Sequence, residues 1–190
     1  PGVVAAGSTN GGLVCLTDLM ATCAEIVGAT LPDNAGEDSV SLLPALGAGR
    51  VSTSNIQQPT SNSQRGTRNP ERGTAAPPPY RPTATLPAPG ERPPVVHHSI
   101  QGRFAVRDGR WKLCLCAGSG GWSKGGGPES PQLYDMAADP GETTNVAAAN
   151  PEVVARLTGA LERIVADGRS TPGGRQRNDV AVEPVREDGR

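Results

Sequence analysis

His97 and His98 are the only histidines in the chain, and they stand side by side. Hydrolytic chemistry needs a nucleophile with a base or a metal beside it, so these two rings are the first candidates for either role. Their spacing works against both. Neighbouring residues of a strand point to opposite faces, so the pair cannot hold one ion from a shared face. No H-x-H, H-E-x-x-H or paired-carboxylate cluster accompanies them, and no G-x-S-x-G motif supplies an activated serine. The four cysteines show no C-x-x-C spacing. Cys114 and Cys116 lie about 6.5–7 Å apart along a strand, at or past disulfide reach, so buried free thiols are expected. The glycine-rich run AGSGGWSKGGGPES at 117–130 lacks G-x-x-x-x-G-K-[ST] and is followed by no helix, which argues against a nucleotide loop. On residue types alone, the chain offers no catalytic residue and no metal ligand, and His97 and His98 read as strand residues.

The elements that would position these residues follow from periodicity. Leu16, Leu19, Met20, Cys23, Ile26 and Val27 recur at helical spacing and predict a helix over 17–27. Thr17 or Asp18 would cap its start and Gly28 would end it in the left-handed conformation. One amphipathic helix cannot bury its own stripe, so the stripe is expected to stay exposed unless something larger covers it.

The stretch 50–94 is rich in Pro, Ser, Thr and Arg with little to bury, and is expected to be a disordered insertion or linker. Its APPPYRP segment suits an aromatic groove as a polyproline helix. Residues 95–116 predict three short strands. Asp108-Gly109 is expected to form the hairpin turn, with Val106 opposite Trp111 and Phe104 opposite Leu113. A two-residue turn at Gln101-Gly102 would put His97 on the Phe/Trp face and His98 on the Lys112 face, and a bulge there would reverse this. PQLYDM adds a strand. Asn150 and Pro151 then open a helix whose stripe is Val153, Val154, Leu157, Leu161, Ile164 and Val165, ended by Gly168. The expected class is α+β, a small antiparallel sheet with one C-terminal helix packed on it.

Composition narrows the function classes. In 190 residues, 25 glycines, 19 prolines and 3% aromatics leave few residues to fill a core, so part of the length should not pack. A net charge of −1 provides no bulk field for nucleic acid, and no apolar run reaches a membrane span. No signal peptide is visible, and the opening PGVVAAGSTNGG lacks an initiator Met, so a longer chain is expected.

The ordered set of pieces resembles the C-terminal end of the sulfatase family, of arylsulfatase type, in the alkaline-phosphatase-like superfamily. CLTDLMATCAEIVGATLPDNAGEDSVSLLPAL is similar to that family's late helix and following turn. VVHHSIQGRFAVRDGRWKLCLCAGSGGWS and QLYDMAADPGETTNVAAANPEVVARLTGAL are similar to the strands, turn and helix of its small C-terminal domain, and GRSTPGGRQRND to a tail of one bacterial branch. The resemblance implies that 1–49 closes a large α/β domain, 95–168 forms the small domain and 169–190 is a flexible tail. It implies hydrolysis of aryl or carbohydrate sulfate esters, with a formylglycine made within a Cys/Ser-x-Pro/Ala-x-Arg motif and a calcium ion held by Asp and Asn.

This chain departs from that pattern. No cysteine sits in such a motif, and Ser170-Thr171-Pro172-Gly173-Gly174 has Gly where Arg is required. No catalytic residue carries over, and the chain alone should be inactive. The resemblance places His98, and His97 beside it, at the rim of the substrate pocket of a whole enzyme, and implies a periplasmic or secreted location. Two other readings stay open. One is a non-catalytic module whose Pro/Arg-rich loop binds a protein, and the other is a piece of a related phosphoryl hydrolase.

Overall fold

The computed structural model describes residues 4–46, 92–118 and 129–184. The expectations for 50–91 and for most of the glycine-rich run lie outside these residues. The order of elements is α1 (Asp18–Val27), β1 (Val95–His98), β2 (Phe104–Asp108), β3 (Trp111–Cys114), β4 (Gln132–Asp135) and α2 (Pro151–Asp167), with a 3-10 turn at Ala147–Ala149 before α2. The strands form one four-stranded antiparallel sheet in the order β1-β2-β3-β4. The protein is α+β, as its sequence implies.

Sheet and helix share one core. Val106, Leu113, Leu115 and Leu133 from the sheet meet Leu157 and Leu161 of α2, with Val96, Phe104, Trp111, Val153, Val154 and Val165 packed around them. The stripe read for α2 is therefore the face that packs on the sheet. Gly168 ends the helix at φ 62°, and Pro151 opens it. Asn150 makes no side-chain cap; its amide donates instead to the Val146 carbonyl at 2.9 Å.

The two hairpin turns differ from expectation. Asp108 pairs with Trp111, so the β2–β3 turn is Gly109-Arg110, with Gly109 at φ 56° as the first central residue of a II′-type turn. Asp108 stays in the strand because its carboxylate pairs with Arg156 of α2. Val106 consequently faces Leu113, not Trp111. The register moves by two residues, which preserves the faces.

The β1–β2 turn is where a face does reverse. Ser99 N–H donates to the Arg103 carbonyl and Gly102 N–H to the Ser99 carbonyl, both at 2.9 Å, with Gly102 at φ 70°. The connection is the odd-numbered loop Ile100–Gly102 with a glycine bulge, not a two-residue turn. His98 therefore pairs with Phe104 and His97 with Ala105, the opposite assignment to that of the tight turn.

α1 runs as predicted and ends at Gly28, φ 68°. Thr17 makes no side-chain cap. The buried side of α1 carries Asp18, Thr22 and Ala24, while Leu16 just before the helix and Leu19, Met20, Ile26 and Val27 on it are exposed. Cys23 lies on that outer stripe and is exposed with it; of the strand thiols, Cys116 is buried and Cys114 half-buried. The inner side receives the chain that follows. Ala21 N–H donates to Ser39 Oγ at 2.8 Å, Leu42 N–H to Thr22 Oγ1 at 2.9 Å, and Val40 N–H to Asp18 Oδ1 at 3.1 Å.

Two ties join this unit to the rest. Arg92 grips Asp18 with both terminal nitrogens, at 2.7 and 2.8 Å. Residues after α2 clip onto the 33–38 loop: Arg169 Nη1 binds Asp33 at 3.0 Å, and Ser170 N–H reaches Asp38 Oδ1 at 2.7 Å. Thr171 contacts the Glu37 carbonyl through both its N–H, at 3.1 Å, and its hydroxyl, at 2.5 Å. The outer edge of β4 is also occupied. Leu133 N–H donates to Asn145 Oδ1 at 3.0 Å, and Val146 N–H donates to the Leu133 carbonyl at 2.9 Å.

Candidate functional site

Alternation along the strands separates an apolar face under α2 from an open, polar face. The open face carries His97, Ala105, Arg107, Lys112, Cys114, Gln132 and Tyr134, which the register places in adjacent rows. A cleft of about 420 Å³ opens there, bordered by His97 and His98 with Arg103, Lys112, Cys114, Gln132, Tyr134 and Glu142 among its walls.

Glu142 arrives from the turn after β4 and holds Lys112 Nζ through both carboxylate oxygens, at 2.6 and 2.7 Å. It does so with φ 54°, a left-handed backbone in a residue other than glycine. Asp139 stabilises that turn by accepting from the N–H groups of Thr143 and Thr144, each at 2.8 Å, and the Thr144 bond is the leading reason its carboxyl sits below the ordinary value. At the far end, Tyr134 donates its hydroxyl to Gln132 Oε1 at 2.6 Å, while Gln132 Nε2 donates to the carbonyls of Cys116 and Gly118.

The electrostatics follow from these neighbours. Desolvation by the cleft walls, then the Lys112 ammonium, lowers the His97 pKa below 6.5 although much of the side chain remains exposed; Glu142 opposes the shift. Burial pushes the Cys114 thiol up to about 11, against the pull of Lys112, so at neutral pH it is no nucleophile. Burial also raises the Tyr134 hydroxyl. His98 stacks edge-on against Phe104 at 6.1 Å, with Nδ1 2.9 Å from the Ser99 carbonyl. The arrangement suits binding through a neutral imidazole and a tethered ammonium, over a floor of buried Tyr134 and Gln132.

Neither histidine meets a nucleophile, and no group of His, Cys, Asp and Glu able to hold a metal ion exists among the described residues. The calcium implied by the resemblance therefore finds no donor set here. Ser170 and Thr171 belong to the clip on the 33–38 loop. Sequence reasoning placed Lys112 on a polar face but missed Gln132, Tyr134 and Glu142 as its companions. Alternation in QLYD carries a signal for Gln132 and Tyr134, whereas only the fold brings Glu142 to Lys112.

The chain matches no family model. A stretch of 75 residues is 36% identical to an N-acetylgalactosamine-6-O-sulfatase of Bacteroides thetaiotaomicron, covering 37% of this chain and 15% of that protein's length. Two solved structures are similar in fold. One comes from work on glycosaminoglycan metabolism by Bacteroides thetaiotaomicron, with 24% identity over 77% of this chain and 24% of that one, TM-score 0.47. The other is described as a complex with its substrate D-glucosamine-2-N,6-O-disulfate, with 18% identity over 85% of this chain and 26% of that one, TM-score 0.48. Over the matched stretch the chain is a homologue of a sulfatase, spanning a small share of its relative's length, as the resemblance in its sequence implies.

Proposed function

We propose that this chain is the C-terminal part of a sulfuric ester hydrolase of arylsulfatase type acting on a sulfated carbohydrate. The observation that carries the reading is the 36% identity over 75 residues with a sulfatase. In this reading, 1–49 completes a large α/β domain and 95–168 is the small C-terminal domain. The formylglycine nucleophile and the calcium ligands belong to the part of the enzyme that this chain does not span, so the 190 residues alone are inactive. The cleft of the open face borders the substrate, with His98 and His97 at its rim contacting the sugar that leaves with the ester oxygen. The resemblance also supports export to the periplasm or the exterior.

The test is the coding frame upstream of Pro1, followed by expression of the whole frame. A Cys/Ser-x-Pro/Ala-x-Arg motif upstream, with sulfate release from a 6-O-sulfated amino sugar, is the expected result. A verified stop and start directly before Pro1 overturns the enzymatic reading. In the whole enzyme, His98→Ala should lower kcat/KM; an unchanged value removes His98 from the substrate site.

A further inference from the structure

The open face carries a charge arrangement that sheet stability alone does not favour. Arg107 and Lys112 are direct cross-strand partners on one face, and like charges in that position are destabilising. Arg103 and Lys112 line the cleft with His97, and Arg107 stands beside Lys112 outside its walls. Among the described residues, Glu142 binds Lys112 bidentately, and Asp139 is turned into its own backbone. Arg107 spends a single side-chain bond on the Gly109 carbonyl, at 3.4 Å from Nε. Glu142 reaches Lys112 only through a left-handed backbone, so the ammonium is held in place by a strained residue. A conflict between local stability and observed residue choice marks a functional surface.

We infer that the open sheet face is a docking surface for a sulfated oligosaccharide, in which Arg107 and the Glu142-anchored Lys112 hold a sulfate group other than the one hydrolysed, beside His97. The inference rests on the sulfatase reading for the identity of its ligand. Charge complementarity selects the occupant: a guanidinium presents paired N–H donors to a tetrahedral oxyanion, and the ammonium adds a point charge. Tyr134 and Gln132 form the floor of the cleft, buried and bonded to one another and to the Cys116 and Gly118 carbonyls.

The test is direct binding by the 190-residue chain, which needs no catalytic centre. A 6-O-sulfated chondroitin hexasaccharide is titrated by calorimetry and by the ring resonances of His97, beside a desulfated hexasaccharide that keeps its carboxylates. Binding of the sulfated probe, at least tenfold tighter than the desulfated one and accompanied by a His97 shift, is the expected result. Arg107→Gln should weaken it about tenfold, the loss of one charge-assisted contact. Arg163→Gln with Arg175→Gln, equally cationic positions on the α2 side, should leave it unchanged. Equal affinity for the two probes, or the same loss from the α2-side pair, overturns the inference. A missing formylglycine motif upstream would sink the sulfatase reading without altering this binding, and absent binding would leave that reading intact.

Discussion

Replacing Arg92 with Met tests whether one buried ion pair holds the α1 unit to the rest of the protein. The Asp18 side chain is fully buried and that of Arg92 is 12% exposed. The carboxylate accepts two bonds from Arg92 and one each from the Cys15 and Val40 N–H groups. Removing one partner of a buried pair costs about 3–5 kcal/mol, because the remaining charge stays desolvated. The two backbone donors persist in the variant, which puts the loss at about 3 kcal/mol, since bonds to a charged group contribute roughly 1.5–3 kcal/mol each. Amide hydrogen exchange within α1 is the appropriate assay, because local opening is read separately from global unfolding. The expected change is about a hundredfold faster exchange of the Thr22–Ile26 amides. Adding Asp18→Asn should recover part of the loss, because a neutral amide is cheaper to leave unpaired than a carboxylate. A shift below about 0.5 kcal/mol, as for an ordinary surface substitution, refutes the reasoning, and so does simple additivity of the two changes.

Four further outcomes are expected. In an NMR titration the His97 midpoint lies below 6.5, rises in Lys112→Gln and falls in Glu142→Gln; the reverse order would contradict the charge assignment. Because His97 is harder to protonate when folded, its contribution to stability is present above pH 6.5 and is lost as pH falls through the folded value, which urea unfolding at stepped pH can follow. Alkylation at pH 8 should modify exposed Cys23 well before Cys114, whose thiol is held near 11, as peptide mapping would show. Gly168→Ala should lower the Tm, since a Cβ at φ 62° would meet the Gln176 carbonyl oxygen at 2.4 Å on top of a left-handed cost of about 1–2 kcal/mol; an unchanged Tm would mean that the tail does not dock there.

The elements were legible where one period dominates. The 3.6-residue stripe of α2 and the glycines at 28 and 168 place both helices to within a residue. Local pattern could not fix the turns. Asp108-Gly109 has the composition of a tight turn, but Arg156, far along the chain, recruits Asp108 into the strand. Likewise Gln101-Gly102 does not reveal that Ser99 and Arg103 close the loop, and that one residue decides which histidine shares the Lys112 face. The α1 stripe was legible as apolar, yet the side that folds inward is the one bearing Asp18 and Thr22, whose partners lie at 39–42 and 92. Of the cleft, the sequence shows His97, His98 and Lys112. Glu142 is joined to them by the return of the chain after β4, which no local pattern encodes.

The blocked edge of β4 bears on how this chain behaves at high concentration. Strand addition, the route to cross-β aggregates, needs a free row of backbone donors and acceptors. On β4 that row is taken at Leu133 by Asn145 and Val146, and on the other side β1 is short and preceded by Pro93 and Pro94, which have no N–H to offer. Among the described residues, exposed apolar side chains cluster instead along α1, at Leu19, Met20, Ile26 and Val27, with Leu16 just before it, while Val4, Val14, Leu46, Ile100 and Val180 are exposed singly elsewhere. Self-association of the isolated chain should therefore proceed side chain to side chain through a helix, giving clusters that dissolve on dilution and do not bind amyloid dyes.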